Sequence, residues 1–453
     1  MSVVTVVGAS GAIVPVTVNG AAALSLAQFY AASINGLAFT GGLSTTILTA
    51  GTAPGAIPAG QTGQGVITTP GSYSFPSGYS YVTDVAAGPV TIIEGRETAS
   101  TSVLASNGGT TLYGGNGGGL FVAGGGNNLF DGGGTGSYAI GTGNGNSSVY
   151  GGRGNDLIQD GVGRNQIFTG SGNDTVLSYG SDLIVTGTGS NIVTLLGSGS
   201  TVSGGPGALL LIDAGRGNVF LGESGSTVLF GGTSGSYFLS GNSTVVGGSN
   251  DTISASGNTT VFGGLNTAVF ENGTGSLAFI ARSNSAATVG GGGVSESVFG
   301  ASGADITYLS ASGVSYLVAS NGNETLNGSF STGPLELFGS KGNASLVGGA
   351  GADTLAAGTG NDTLAGGHGS ANLFIFSNGQ AGGNTTISDF GSAAGNLVGL
   401  FGYGANEVQS ALATASSTNT GGSVVKLSDN TTITFSTLSV DQLKAHGSQF
   451  FSG

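Results

Sequence analysis

The 453-residue chain contains no cysteine and no tryptophan, and only eight of its residues are lysine or arginine. Without cysteine, a disulfide framework and a thiolate metal site are both excluded. The eight basic residues stand against 22 acidic residues, which gives a net charge of −14. Because no cationic stripe is available to neutralise a phosphate backbone, we expect no nucleic-acid partner.

Long apolar runs are also missing. No run approaches the roughly 18 residues that a membrane helix requires, so we expect no transmembrane segment. The first basic residue is Arg96. The N-terminus therefore does not resemble a cleaved signal peptide, and any export signal is expected elsewhere in the chain.

Glycine, with 94 residues, dominates what the chain does contain. Hydrophobic residues make up 38% of the sequence and charged residues only 7%, so disorder driven by high charge is not indicated. The apolar residues are mostly Val, Leu, Ile and Phe, in short bursts between Gly, Asn, Ser and Thr. This composition is typical of short strands joined by turns.

A repeated unit of turn and short strand runs through residues 105–376. Within the strands apolar and polar residues alternate, so Val176 and Val261 are predicted to point into a core. A strand this short buries nothing alone, and each unit must stack on its neighbours. We predict an all-β fold, a right-handed parallel β-roll or β-solenoid with two strands in each coil of roughly eighteen residues.

Four copies of the unit, at 151–159, 169–177, 348–356 and 357–365, resemble the RTX (hemolysin-type) repeat G-G-x-G-x-D-x-U-x, in which U is a large apolar residue. Looser copies extend the resemblance over most of 105–376. The resemblance implies Ca²⁺ in the turns, export by the type I secretion machinery, and a location outside the cell or at its surface. In most of the looser copies, Asn, Ser or Gly replaces the aspartate of the motif.

The spacing of the aspartates decides which turns stack. Asp156 and Asp174 lie eighteen residues apart, or one full coil, and are therefore the best predicted metal-binding pair. Calcium prefers six to eight oxygen ligands, so stacked carboxylates make a better site than a single one. Solvated turn carboxylates without a metal are the alternative interpretation.

Asp353 and Asp362 are the weaker candidates for binding a metal. They are nine residues apart, which predicts that they lie on opposite edges of the roll. Their partners on the same edges are expected to be Ala371 and Ala344, neither of which can bind a metal ion. We therefore expect few or no occupied calcium sites, and a roll held mainly by its aliphatic core and its backbone hydrogen bonds.

Both ends differ from the repeats. Residues 1–104 are predicted to form an N-terminal cap or an anchoring or assembly domain, with a helix near residues 21–36 that presents Leu26, Phe29, Tyr30 and Ile34 on one face. Residues 377–453 are predicted to form a C-terminal cap with an uncleaved secretion signal. This segment contains a helix candidate at 405–415, a hairpin around Asp429 and Asn430, and a capping box of Ser439 and Gln442.

No motif of a known catalytic centre is present, so we expect no enzymatic activity. The expected function is that of a secreted bacterial structural protein that associates with itself into a surface layer, a biofilm matrix fibre or a similar assembly, because little charge opposes association. An adhesin is the alternative, in which flat rows of Thr, Ser and Asn, as at 243–245 and 258–260, bind a polysaccharide, ice or a host surface. A catalytic domain within 1–104 is a third alternative.

Overall fold

The computed structural model describes residues 1–75, 78–95, 99–292, 296–310 and 313–453. The chain divides into two compact units, Met1–Gly235 and Ser236–Gly453. In both units nearly all regular structure is β, and the strands stack in parallel as the coils of a β-solenoid. The predicted fold class is therefore confirmed.

The first unit begins with a hairpin and a helix and continues with short strands. The first elements are β1 (Ser2–Val7), β2 (Ile13–Val18), α1 (Ala21–Phe39), β3 (Leu43–Leu48), β4 (Thr62–Ile67), β5 (Gly71–Ser74), β6 (Tyr79–Asp84), β7 (Val90–Ile93) and β8 (Thr101–Ala105). Next come β9 (Thr110–Tyr113), β10 (Gly119–Ala123), β11 (Leu129–Asp131), β12 (Tyr138–Gly141), β13 (Ser148–Tyr150), β14 (Leu157–Gln159) and β15 (Gln166–Phe168). The last are β16 (Thr175–Ser178), β17 (Leu183–Val185), β18 (Ser190–Leu195), β19 (Thr201–Ser203), β20 (Ala208–Asp213), β21 (Val219–Leu221) and β22 (Thr227–Phe230).

Two parallel sheets form the coils of this unit. Even-numbered strands from β4 to β22 form one sheet, and odd-numbered strands from β5 to β21 form the other. Strand β3 pairs with β4 and so extends the even-numbered sheet. Leu157 pairs with Thr175, and Ser148 pairs with Gln166, so one coil takes eighteen residues at these positions. Parallel pairing already begins at Leu43, upstream of the residues in which the repeat is visible.

The core is a stack of one inward side chain from most strands. Val149, Ile158, Ile167 and Val176 are all fully buried. Thr175 and Leu177, which flank Val176, face outward and are partly exposed, as the alternation predicts. Each buried aliphatic side chain contributes about 1.5–3 kcal/mol relative to an exposed one, so the stack accounts for much of the stability.

Helix α1 and the antiparallel hairpin β1–β2 form a second core with the outer face of the even sheet. Tyr30 and Ile34 of α1 pack there with Leu104 of β8 and Leu120 of β10. The prediction that Phe29 shares this face is wrong, because Phe29 is 68% exposed. The alanines of α1 take its place and let the helix approach the sheet closely.

By length and composition, α1 could cross a membrane. It has 19 residues and a mean hydropathy of 1.2, and it is the one helix of the described ranges that meets both criteria. One face of α1 packs in the core of the first unit, as the helices of folded domains do. The expected absence of a transmembrane segment remains a prediction.

The second unit continues the pattern. Its first strands are β23 (Ser236–Leu239), β24 (Ser243–Val246), β25 (Thr252–Ala255), β26 (Thr259–Phe262), β27 (Thr267–Glu271), β28 (Leu277–Ile280), β29 (Ala286–Gly291) and β30 (Ser297–Phe299). Then follow β31 (Asp305–Ser310), β32 (Ser315–Val318), β33 (Thr325–Asn327), β34 (Leu335–Phe338), β35 (Ser345–Val347), β36 (Thr354–Ala356), β37 (Thr363–Ala365), β38 (Leu373–Ser377) and β39 (Asn384–Ile387). The chain ends with a 3₁₀ turn (Phe390–Ser392), β40 (Leu397–Phe401), α2 (Glu407–Ala413), β41 (Ser416–Ser417), β42 (Ser423–Lys426), β43 (Thr432–Phe435), α3 (Val440–Ala445), a 3₁₀ turn (Gly447–Gln449) and β44 (Phe450–Ser452).

Even-numbered and odd-numbered strands again form separate parallel sheets, which β44 and β43 extend at the C-terminal side. Val261 is fully buried between the outward Thr260 and Phe262, as predicted. The predicted C-terminal helix is α2, and the predicted hairpin is β42–β43, with Asn430 at a positive φ of 73° in its turn. Both hydrogen bonds of the Ser439–Gln442 capping box are present.

Candidate metal centre

Asp156, Asp174 and Asn191 form a column of polar side chains along one edge of the first unit, directly before β14 and β16 and near the start of β18. Each of these side chains accepts a hydrogen bond from the backbone of the preceding coil. Asp156 Oδ1 accepts the N–H of Tyr138 at 2.8 Å, and Asp174 Oδ1 accepts the N–H of Asp156 at 2.8 Å. Asn191 Oδ1 accepts the N–H of Asp174 at 3.0 Å. The predicted stacking of Asp156 on Asp174 is confirmed, whereas their binding of a metal ion remains a prediction.

The two aspartates are almost completely removed from solvent, with 3% of Asp156 and 1% of Asp174 exposed. Asp156 Oδ2 accepts the N–H of Gly152 at 3.3 Å, but Asp174 Oδ2 is buried and makes no hydrogen bond of ordinary geometry. Burial raises the pKa of both carboxyl groups, and the negative charge of Asp174 raises that of Asp156 further. A buried carboxylate oxygen without a donor is what a cation would neutralise, so this pair fits calcium.

Two carboxylates cannot fill the coordination shell of calcium alone, since the ion takes six to eight oxygens. In the described part of the chain, no three His, Asp or Glu side chains come together as a metal site. Asp156 and Asp174 would therefore hold the ion together with backbone carbonyls of their turns. Bound calcium would neutralise the negative charges of these two buried carboxylates. The backbone N–H groups of Tyr138 and Asp156 hold the carboxylates in place.

Asp353 and Asp362 lie on opposite edges, as predicted, because Asp353 precedes an even strand and Asp362 an odd one. Both are buried, and every one of their carboxylate oxygens already has a donor. Asp353 accepts the N–H groups of Leu335 at 2.8 Å and Gly349 at 2.7 Å. Asp362 accepts those of Ala344 at 2.8 Å and Gly358 at 2.7 Å. Backbone N–H groups therefore hold both carboxylates in their turns, and the binding of a metal ion by Asp353 and Asp362 remains a prediction.

The predicted stacking partner of Asp353 is wrong. The N–H of Asp353 donates to Asn372 Oδ1 at 2.9 Å, so Asn372 takes the position expected for Ala371. Thr354 pairs with Leu373, nineteen residues further on, because this coil contains one additional residue. The partner of Asp362 is Ala344, as expected.

Sequence reasoning missed a second carboxylate pair, Asp160 and Asp182. Asp160 follows β14, Asp182 precedes β17, and both are buried. Asn165 Nδ2 donates to Asp160 Oδ2 at 3.3 Å and to Asp182 Oδ1 at 3.0 Å, which brings the carboxylates together. Burial, followed by the hydrogen bond and the charge of Asp182, raises the pKa of Asp160 to about 9. The sequence did contain a signal for this pair, because Asp160 replaces the first Gly of the repeat at residues 160–168.

The family model of the RTX calcium-binding nonapeptide repeat matches the chain in four copies, at residues 141–176 and 338–370. The matched repeats and the β-solenoid fit an RTX-type β-roll repeat protein. All four candidate aspartates lie in the matched stretches, and the matched repeats indicate calcium binding. No curated protein and no solved structure matches the chain.

Changing both Asp156 and Asp174 to Asn should abolish most of the calcium-induced rise in Tm. Asn keeps an oxygen for the backbone N–H of the preceding coil but removes the charge that attracts the ion. The matched control is Asp353→Asn with Asp362→Asn, whose oxygens are already occupied by donors. Thermal melts with calcium and with a chelator measure the rise. Equal losses in the two double variants would contradict the assignment.

Proposed function

We propose that this RTX protein is a secreted, non-catalytic structural protein that associates with itself into a surface layer, a matrix fibre or a similar assembly. The repeats and the β-solenoid indicate a secreted repeat protein. Proteins with such repeats are typically exported by type I secretion, which indicates an extracellular location. Self-association is the step that the proposal adds.

The observation that carries the proposal is an uninterrupted row of apolar side chains on the outer face of the second unit. Eight consecutive even strands, β24 to β38, each contribute one outward residue at the same register position. We call this row the outer apolar column: Val246, Phe262, Ile280, Phe299, Val318, Phe338, Ala356 and Ile375. Phe262 is 44% exposed and Phe299 is 41% exposed.

The size and chemistry of the column suit contact with a second copy. At ~4.8 Å for each strand spacing, eight strands span about 34 Å. Every copy has the same period, so two columns can interdigitate along their whole length. No residue of the column is charged; three of the eight are exposed and the other five are partly exposed. Contiguous apolar surface that solvent can reach marks interaction sites.

In the first unit the corresponding face already serves as an interface. Outward residues of its even strands, including Leu104, Leu120 and Val122, are buried beneath α1. The outer face of an even sheet therefore packs well against an apolar partner. In the second unit, the described residues include no helix over the outer apolar column.

The test is to change Phe262 and Phe299 to Glu in the full chain. Each copy would then carry two charges in the column, and we expect the assembled fraction to fall at least tenfold. Sedimentation and electron microscopy, with and without calcium, measure that fraction. Thr288→Glu, on the outer face of the odd sheet of the same unit, is the control and should assemble normally. Dispersed wild-type monomers in both conditions would refute self-association.

The adhesin alternative has a smaller basis in the structure. Thr244 and Thr260 are outward neighbours on adjacent strands, whereas Ser243 and Thr259 are buried. The next two residues in the row are Ala278 and Ser297. A glycan pull-down that loses binding after Thr244→Ala with Thr260→Ala would favour the adhesin.

A further inference from the structure

Two glutamates are buried at one edge of the second unit, outside the stretches that match the RTX repeat. Glu271 ends β27, and Glu296 directly precedes β30, one coil further along the same edge. Their side chains are 2% and 0% exposed. A buried carboxylate needs donors or a cation, since burial of an unpaired charge is costly.

Glu296 lies in a tight group of oxygens. Its Oε2 is 2.6 Å from the Tyr308 hydroxyl and 2.8 Å from the Ser315 hydroxyl, and these two hydroxyls are 2.6 Å apart. Three oxygen atoms, from one carboxylate, one phenol and one alcohol, therefore lie within hydrogen-bond distance of one another. The other carboxylate oxygen, Oε1, accepts the N–H of Gly292 at 3.1 Å.

Glu271 supplies an independent sign of a missing ligand. Its Oε1 accepts the N–H of Gly273 at 3.0 Å, but its Oε2 is buried and has no hydrogen-bond partner. Burial raises the pKa of Glu271, and the charge of Glu296 raises it further. A cleft of about 380 Å³ is lined in part by Glu271 and Asn272.

We propose that Glu271 and Glu296, with the hydroxyls of Tyr308 and Ser315, bind one divalent cation of the calcium type. The donor set consists only of oxygen, which favours a hard cation over zinc or copper. Two carboxylates balance the charge of one divalent ion. The site uses glutamates and a phenol in place of the aspartates of the repeat, so its occupancy is separable from that of Asp156 and Asp174.

The test counts calcium ions bound to the full chain by equilibrium dialysis. Glu271→Gln and Glu296→Gln keep an oxygen for the N–H groups of Gly273 and Gly292 but remove the charges. Each variant should lose one ion, and the double variant should also lose only one, because both residues hold the same ion. Glu336→Gln, a partly exposed glutamate of β34, is the control and should lose none. An unchanged count in either single variant, or a loss of two ions in the double variant, would overturn the proposal.

A second measurement does not depend on these substitutions. Terbium(III) replaces calcium at oxygen sites, and a tyrosine in contact with it sensitises its luminescence. Tyr308→Phe should therefore remove a measurable part of the tyrosine-sensitised emission and weaken binding of one ion. Emission equal to that of the wild type would contradict a site at Tyr308. Neither the number of bound calcium ions nor the terbium emission depends on whether the protein assembles.

Discussion

Replacing Gly187 with Ala is expected to prevent stable folding of the first unit, with a loss of at least about 4 kcal/mol. Gly187 lies in the turn between β17 and β18, where successive coils approach each other closely. A Cβ at this position would lie 1.4 Å from the carbonyl oxygen of Gly170, one coil earlier. The obstacle is backbone, so no side-chain rotation relieves the clash. The coils would have to separate, which breaks the parallel ladder on both sides.

The matched control is Gly36→Ala, in the same unit. Gly36 lies within α1, and a Cβ there meets no atom within 4 Å. Ala is the better helix former by about 0.8–1 kcal/mol, so this variant should be slightly more stable than the wild type. Urea unfolding followed by circular dichroism compares the two variants. Similar unfolding midpoints would show that the coils do not pack as closely as the structure has them.

Asp160→Asn should stabilise the protein at alkaline pH. In the folded chain burial and Asp182 raise the pKa of Asp160 to about 9, against about 3.9 in an unfolded chain. The folded state thus holds a proton that the unfolded state releases. The stabilisation of the folded state by this proton is fully present below about pH 4 and is lost as the pH rises towards 9. Over this range the free energy of unfolding falls by up to about 1.4 kcal/mol per pH unit. Asn resembles the protonated acid, since it keeps an acceptor for the N–H of Tyr179 and gains a donor towards Asp182.

The measurement is Tm between about pH 7 and pH 9. Burial raises the pKa of Glu94 only to about 7, so Glu94 contributes less than Asp160 to the pH dependence in the upper part of this window. The wild type should lose stability across it, and Asp160→Asn should stay nearly constant. Asp305→Asn, at an exposed position, should follow the wild type. A wild-type Tm that does not change in this window would refute the raised pKa of Asp160.

The alternation of short strands and glycine-rich turns was sufficient to predict a parallel solenoid and its inward residues, as Val176 and Val261 show. Counting residues also gave the stacking of Asp156 on Asp174, because the coil between them has the expected eighteen residues. The same counting failed at Asp353, where one additional residue moves the partner to Asn372. Handedness, the boundaries of the predicted domains and the metal assignments remain predictions.

The sequence by itself determined the approximate period, the core and the local elements of the C-terminal segment, because these depend on neighbouring residues and on the alternation within each repeat. Only the tertiary structure decided which polar groups meet between coils. Asp182 belongs to the coil that follows Asp160, and Glu296 belongs to the coil that follows Glu271, so no local pattern predicts either pair. The outer apolar column has the same origin, because its eight residues come from strands spaced 16 to 20 residues apart and align only after the coils stack.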